Sequence, residues 1–287
     1  MRTRFAPAPT GWLHLGHVLN AEHVWNAGAE VLLRIEDHDR DRCRPEYEAG
    51  ILDDLDWLGY RPDIFHTDAF RAGMCDGRQS DRETVYREAV DILAKVGVVY
   101  ACDCTRREIE ARRPAAGARD PGPVIRGAGE EAIDTTELWY DGHCRCRDLP
   151  LADGYGWRVR MDDGGERFVD GRLGPQEQDP SQQCGDVLIR DRLGNWTYQF
   201  AVSVDDFRQG IDLVIRGEDL LPSTGRQIRI ARLLGRDTPA TFFHHPLLMK
   251  SPTQKLSKSD GDTGIRDLRA KGWTAERVIA EARALAG

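Results

Sequence analysis

The chain has 287 residues, with 40 Lys and Arg against 48 Asp and Glu, and a formal charge of −8. Its 40% hydrophobic and 31% charged residues, with aromatics spread along the whole length and no internal repeat, exclude the collagen-like, coiled-coil and disordered classes. No window approaches the ~20 apolar residues of a spanning helix, and Met1-Arg-Thr-Arg-Phe5 lacks the apolar core of a secretory leader, so a cytoplasmic protein with no membrane contact is expected.

Taken in order, Arg4–Ala6 reads as a short strand stopped by Pro7 and Pro9. A helix follows from Leu15 to about Ala27, then a buried strand over Val31–Glu36. Pro45 opens a helix whose Tyr47, Ile51, Leu55 and Leu58 recur at helical spacing until Gly59. Ser80-Asp-Arg-Glu83 has the form of a capping box ahead of an apolar face over Val85–Val96. A strand over Val98–Cys102 completes this half. Arg112–Ile133 is rich in Arg, Gly, Pro and Ala and reads as a surface insertion. Strands are expected over Trp157–Met161, Phe168–Asp170, Val187–Arg190, Trp196–Phe200, Leu213–Arg216 and Thr241–His245, with a helix from about Ser223 to Leu234. This alternation predicts an α/β fold with a doubly wound parallel sheet. The chain exceeds the size of a typical single core, and four segments are expected. They are the first half of the sheet domain (1–100), an inserted subdomain (101–185), the second half (186–259) and a short helical tail (260–287).

Two motifs carry chemistry. His14-Leu-Gly16-His17 sits between the first strand and the first helix, where free backbone N–H groups attract anions. The imidazoles share one face of the first turn, and Gly16 leaves room for a base or phosphate. Alone, the two histidines could be unrelated members of a capped turn; after Pro7-Ala-Pro-Thr-Gly11 they read as a phosphate site. Lys255-Leu-Ser-Lys258-Ser259 lies in a polar stretch, and two lysines there can neutralise a polyphosphate leaving group. By itself such a pentapeptide is more often a solvated loop. Seven cysteines, an odd number, speak for reduced thiols or metal ligands. Cys102-x-Cys104 and Cys144-x-Cys146 form a credible tetrahedral zinc set, whereas Cys43, Cys75 and Cys184 stand alone.

The two motifs, in this order, resemble the HIGH and KMSKS signatures of class I aminoacyl-tRNA synthetases. Arg4-Phe-Ala-Pro-Ala-Pro-Thr-Gly11, Leu33-Arg-Ile-Glu-Asp37, Val204-Asp-Asp206 and Val214-Ile-Arg-Gly-Glu-Asp219 look like the glutamyl-tRNA synthetase subgroup. The resemblance implies a Rossmann-type catalytic domain with a zinc-bearing insert. Only 28 residues follow Ser259, so the chain resembles the truncated branch that activates glutamate without tRNA and attaches it to queuosine in the anticodon stem-loop of tRNA(Asp).

The resemblance further implies ATP, L-glutamate and Mg²⁺ as ligands and a monomer as the working form. Arg4 and Arg216 would hold the substrate carboxylates, Glu36 its ammonium, and Tyr198 would add a hydroxyl. All four are expected at or near carboxyl ends of strands, where open α/β sheets bind ligands. Phe5, Ala6, Pro7 and Ala8 would line the pocket with backbone groups; the family commonly has serine where Ala8 stands. His14, Gly16 and His17 would contact ATP, with Lys255 and Lys258 acting on the phosphates. The zinc ligands carried over are Cys102, Cys104, Tyr140 and Cys144, with Cys146 as an alternative fourth. Competing expectations are a short synthetase that charges the 3′ end of tRNA, a small-molecule nucleotidyltransferase, and a zinc-dependent RNA-binding module using Arg106, Arg107, Arg112 and Arg113.

Overall fold

The computed structural model describes residues 1–112, 138–251, 254–255 and 264–285. Strand β1 (Arg2–Phe5) runs parallel to β2 (Glu30–Leu33), with Arg4 opposite Leu32. Helix α1 (Leu15–Trp25) connects them. Helix α2 (Pro45–Leu58) begins on a proline whose missing N–H costs nothing in a first turn, and it ends at Gly59, φ +83°. After the short α3 (Thr67–Arg71), single parallel bridges Leu32–Ile64 and Ile35–Arg78 widen the sheet beyond β2.

The capping box expected at Ser80–Glu83 does not form. Gln79–Asp81 is a 3₁₀ turn whose Ser80 N–H donates to Asp37 Oδ1 at 2.8 Å, and Arg82 turns inward to Asp205. Helix α4 (Glu83–Lys95) therefore starts without a side-chain cap.

Next come β3 (Val99–Cys102), α5 (Arg106–Ala111), β4 (Gly156–Val159), β5 (Glu166–Asp170), β6 (Gly174–Gln178), α6 (Pro180–Gln183) and β7 (Val187–Arg190). They precede α7 (Tyr198–Arg208), β8 (Leu213–Gly217), α8 (Thr224–Leu233) and β9 (Thr241–His245). The strands β3, β4 and β7 form an antiparallel sheet, while β6-β5-β9-β8 is mixed: β8 and β5 are parallel to β9, and β6 is antiparallel to β5. The sheets are thus mixed, not the doubly wound parallel sheet expected. Helix–strand alternation does not specify strand direction, and the pairing crosses residue 185: β7 joins β4, while β5 joins β9.

Trp196–Phe200 is a second correction. Asp191–Asn195 closes a tight turn through Asp191 N–H to Asn195 O (2.9 Å). Trp196 then bridges back to Arg190, and Tyr198 opens α7 instead of ending a strand.

Strand β1 also borders β8, where Asp212 N–H donates to Arg2 O at 2.9 Å. The carboxyl ends of β1, β2 and β8 therefore converge. Beyond β10 (Met249–Ser251) and β11 (Gln254–Lys255), helices α9 (Ile265–Ala270) and α10 (Ala275–Ala284) add Ile265, Leu268, Val278 and Ala282 to the core around α1, α2, β1 and β2. A second apolar cluster joins α4 and α7 to β4 and β7. No helix among the described residues is long and apolar enough to cross a membrane.

Candidate active site and metal centre

His14 caps α1. Its Nδ1 accepts the Gly16 N–H at 3.1 Å, while His17 Nδ1 accepts the His14 N–H at 3.2 Å. The two rings lie 4.0 Å apart between centroids. A Cβ on Gly16 would sit 2.9 Å from His14 Cε1, so any other residue there would push the His14 ring out of this cap. The first turn of α1 thereby presents two imidazoles at the positive end of the helix dipole, an arrangement that favours an anion. The Thr10 hydroxyl, one loop before it, is buried with no hydrogen-bond partner.

Behind this turn lies a buried ionic network. Arg4 donates from Nε to Asp206 Oδ1 (3.2 Å) and from Nη1 to Ile215 O (3.0 Å). Arg34, fully buried, pairs closely with Asp206 and lies 3.7 Å from Glu36 and 4.0 Å from Asp205. Asp205 in turn accepts from Gln79, Arg82 and Tyr86. Burial would raise the Asp206 carboxyl, but Arg4 and Arg34 outweigh it and hold it below the usual carboxylate range. Glu36 is different. Its Oε1 is buried without a hydrogen-bond partner, and burial pushes its carboxyl up to about 7 despite Arg34 and Arg4. A buried carboxylate oxygen that accepts no hydrogen bond, with only the more distant Arg34 charge beside it, is suited to a cationic ligand.

Arg216 is the second arginine predicted to bind a carboxylate. It donates from Nε to His244 Nε2 (3.0 Å), from Nη1 to Gln227 Oε1 (2.6 Å) and from Nη2 to Thr224 Oγ1 (2.9 Å). Among the described residues it forms no salt bridge, whereas Arg4 is already paired. Tyr198 shares this space. Burial and the Glu36 charge push its phenol up to about 12, while Arg216 and Arg4 oppose them. Arg4, Glu36, Tyr198 and Arg216 therefore meet, although Tyr198 arrives from the start of α7. Of the lining residues, Phe5 and Pro7 are buried, and their carbonyls accept the N–H groups of Arg34 (2.9 Å) and Glu36 (3.0 Å). Ala6 and Ala8 are half-buried. Lys258 lies outside the described residues, and Lys255 is described only as part of β11.

The cysteine prediction gathers most of its members. The sulfurs of Cys102, Cys104 and Cys144 lie within 4.8 Å of one another. Tyr140 Oη is 3.2 Å from Cys102 Sγ and 3.5 Å from Cys104 Sγ, and it accepts the Cys144 N–H at 3.1 Å. Cys146 is exposed and outside this group. Tyr140 is seated by a bridge to Gly185, φ +64°, where a Cβ would fall 2.0 Å from the Tyr140 carbonyl oxygen. Burial raises the Cys102 thiol, but the Tyr140 hydroxyl and Arg158 overcome it and leave the thiol below its ordinary value. Three sulfurs and a phenol oxygen converging on one point suit tetrahedral zinc. Arg112 spends its guanidinium on Cys104 Sγ (3.1 Å) and Asp141 (3.1 Å), which removes it from the basic surface that an RNA-binding module would use.

Sequence reasoning assigned no role to Arg34, Asp205, Asp206, Asp170 or His244. The first three sat inside the motifs that carry the family resemblance, and charged residues within otherwise apolar stretches were the available signal. Nothing local marked Asp170 and His244, which meet only through strand pairing.

Comparison with known proteins adds the following. The family described as tRNA synthetases class I (E and Q), catalytic domain, matches residues 1–285. A glutamyl-Q tRNA(Asp) synthetase from Nitratidesulfovibrio vulgaris is 39% identical over 303 aligned residues, covering all of this chain and 86% of that protein. Glutamate–tRNA ligase 2 of Cereibacter sphaeroides is 36% identical across 94% of the chain, which spans 57% of that relative's length. Among solved structures, a glutamate tRNA ligase from Elizabethkingia meningosepticum in complex with its amino acid superposes with a TM-score of 0.68 at 28% identity, covering 91% of this chain and 52% of that one.

Proposed function

The chain belongs to the class I tRNA synthetases of the E and Q type, an aminoacyl-tRNA synthetase family of ligases, and on that premise we propose that it activates L-glutamate with ATP and transfers it to queuosine in the anticodon stem-loop of tRNA(Asp). The observation that carries glutamate activation is the cluster in which Glu36 keeps a buried oxygen free of hydrogen bonds, Tyr198 lies under its charge, and Arg216 has no carboxylate partner among the described residues. The queuosine acceptor rests on the 39% identity to a glutamyl-Q tRNA(Asp) synthetase across this whole chain.

In this reading Glu36 takes the substrate ammonium and Arg216 a carboxylate, with Tyr198 donating a hydroxyl. Arg4, tied to Asp206, sets the positive potential at the strand ends. The α-carboxylate oxygen attacks the ATP α-phosphorus, the bond to the bridging oxygen breaks, and pyrophosphate leaves. Positioning and charge neutralisation dominate such a displacement. His14 and His17 meet the phosphates at the α1 N-terminus, with Gly16 keeping the approach open. Lys255 and Lys258 neutralise the leaving group, and Mg²⁺ accompanies ATP. The activated carbonyl is then attacked by a queuosine hydroxyl, which loses its proton as the carbonyl–O bond to the phosphate breaks and AMP leaves. Cys102, Cys104, Cys144 and Tyr140 would hold a zinc ion, whose role there would be structural, tying β3 to the segment after residue 138.

Glutamate-dependent ATP–pyrophosphate exchange without tRNA tests the first step. For the second, labelled glutamate is expected on a tRNA(Asp) stem-loop bearing queuosine but not guanine, and on tRNA whose 3′ end has been oxidised by periodate. Label on the terminal adenosine of tRNA(Glu) would instead establish 3′-end charging, the activity in the printed name of the Cereibacter relative.

A further inference from the structure

The parallel register of β8 and β9 sets Arg216 directly beside His244, and Asp170, at the end of β5, pairs with Phe242, two residues before it. Asp170 accepts four N–H groups. Oδ1 takes those of Arg172 (3.0 Å) and Leu173 (2.9 Å), and Oδ2 takes the His244 backbone N–H (3.1 Å) and Nδ1 (2.6 Å). A carboxylate surrounded by donors has no proton of its own to give, so the proton of this last bond sits on His244 Nδ1. The imidazole, fully buried, then turns a bare Nε2 lone pair toward Arg216 Nε.

This tautomer matters because Nε–H can only donate. The reversed tautomer, or an imidazolium, would set donor against donor. Burial, reinforced by the neighbouring Arg216 charge, holds the His244 imidazole down to about 3, so it is neutral at pH 7. With Gln227 and Thr224, His244 takes one hydrogen from each guanidinium nitrogen through a neutral acceptor. One hydrogen on each of Nη1 and Nη2 and an undiminished positive charge remain for an incoming carboxylate. A carboxylate in His244's place would orient Arg216 equally well but would compete for that charge.

We propose that Asp170 and His244 are positioning residues that fix Arg216 as the carboxylate anchor, with Asp170 setting the imidazole tautomer and His244 holding the guanidinium without neutralising it. This rests on the reading that Arg216 binds glutamate.

Steady-state exchange kinetics of His244→Phe, His244→Gln, Asp170→Asn and Arg216→Ala test it. His244→Phe keeps the ring volume but loses both nitrogens, and is expected to raise KM for glutamate at least ~10-fold, the scale of a lost bond to a charged group, while leaving KM for ATP unchanged. His244→Gln restores an acceptor near Nε2 and should recover most of that loss. Asp170→Asn turns an N–H either toward His244 or toward the Arg172 and Leu173 amides, and should also raise KM for glutamate selectively. If Arg216→Ala raises KM and His244→Phe does not, the positioning role is overturned. If Arg216→Ala leaves KM unchanged, the pocket assignment itself falls. A measurement on the parent protein is independent of variant folding: ¹⁵N NMR of the His244 ring should show the neutral Nδ1–H tautomer at pH 7, and an Nε2–H tautomer or an imidazolium would overturn the proposal.

Discussion

Glu36 should trade stability for binding. Its carboxyl is displaced from 4.5 to about 7, chiefly by burial. At roughly 1.4 kcal/mol for each tenfold change in proton affinity, keeping it ionised costs the folded chain about 3 kcal/mol. The sign follows from proton uptake. Between pH 4.5 and 7 the folded state binds the proton that the unfolded state has lost, so this penalty is absent below pH 4.5, grows through that window and is complete above about pH 7. Glu36→Gln retains the shape and removes the charge. It is expected to match the parent at pH 4 and to exceed it by up to about 3 kcal/mol at pH 8, as read by urea unfolding across that range. Exchange should move the opposite way. Losing the ammonium's anionic partner should raise KM for glutamate ~10- to 10²-fold, the scale of a lost charge-assisted bond. The parent's own KM should climb as pH drops below 7 and Glu36 takes up its proton. If Glu36→Gln is less stable than the parent at pH 8, or keeps the parent KM, the reasoning is refuted.

The two arginines should respond differently. Arg216→Ala leaves three buried neutral acceptors without their donor and should weaken glutamate use most, whereas Arg4→Ala takes one of two cations from Asp206, which keeps Arg34, and should lower stability in urea unfolding by about 1–3 kcal/mol; an Arg4→Ala protein as stable as the parent would contradict this pairing. Metal analysis of purified protein should give one zinc per chain in the parent and in Cys146→Ser, and loss of zinc in Cys144→Ser. Tyr140→Phe should bind zinc more weakly, and retention by Tyr140→Phe with loss in Cys146→Ser would reverse the fourth-ligand assignment. Gly16→Ala drives a Cβ into the His14 ring and should cut adenylate formation at least ~10-fold, a cap-sized disturbance of about 1 kcal/mol or more, with KM for glutamate preserved; normal exchange would show that the stacked cap is dispensable.

What could be read from sequence was whatever is encoded locally. Pro45 and Gly59 bounded α2 because a first-turn proline and a left-handed terminus are properties of single residues. The strand over Val31–Glu36 was visible as a compact buried run, and β2 covers Glu30–Leu33. Tyr198 was misplaced because its helix depends on a turn at Asp191–Asn195 that reverses the chain before the apolar run. Strand direction was hidden for a related reason: whether β7 joins β4 or the central sheet is decided by partners as distant in sequence as Trp157 and Arg190. At the site, Arg4, Glu36 and Arg216 were legible from motifs quoted residue by residue. Asp170 and His244 were not, since 74 positions separate them. The fourth thiol-cluster partner stayed open between Tyr140 and Cys146 until geometry placed the phenol oxygen among the sulfurs and Cys146 outside them.

The packing of α10 against α1 has a consequence for biosynthesis. Arg283 donates to Glu22 at 2.5 Å, the Ile265 N–H to Leu13 O at 2.8 Å, and Arg266 lies over the Trp12 ring. The helix carrying His14 and His17 is therefore completed by residues translated long after it, 261 positions separating Glu22 from Arg283. Until those residues clear the ribosome, α1 keeps an uncovered apolar flank where Val278 and Ala282 belong. The nascent chain must hold the turn bearing His14 and His17 unfinished while those intervening residues are made, a state in which exposed apolar surface invites chaperones. Pausing translation just before the codons of α9 and α10 should therefore lengthen the life of an aggregation-prone intermediate far more than pausing it after them.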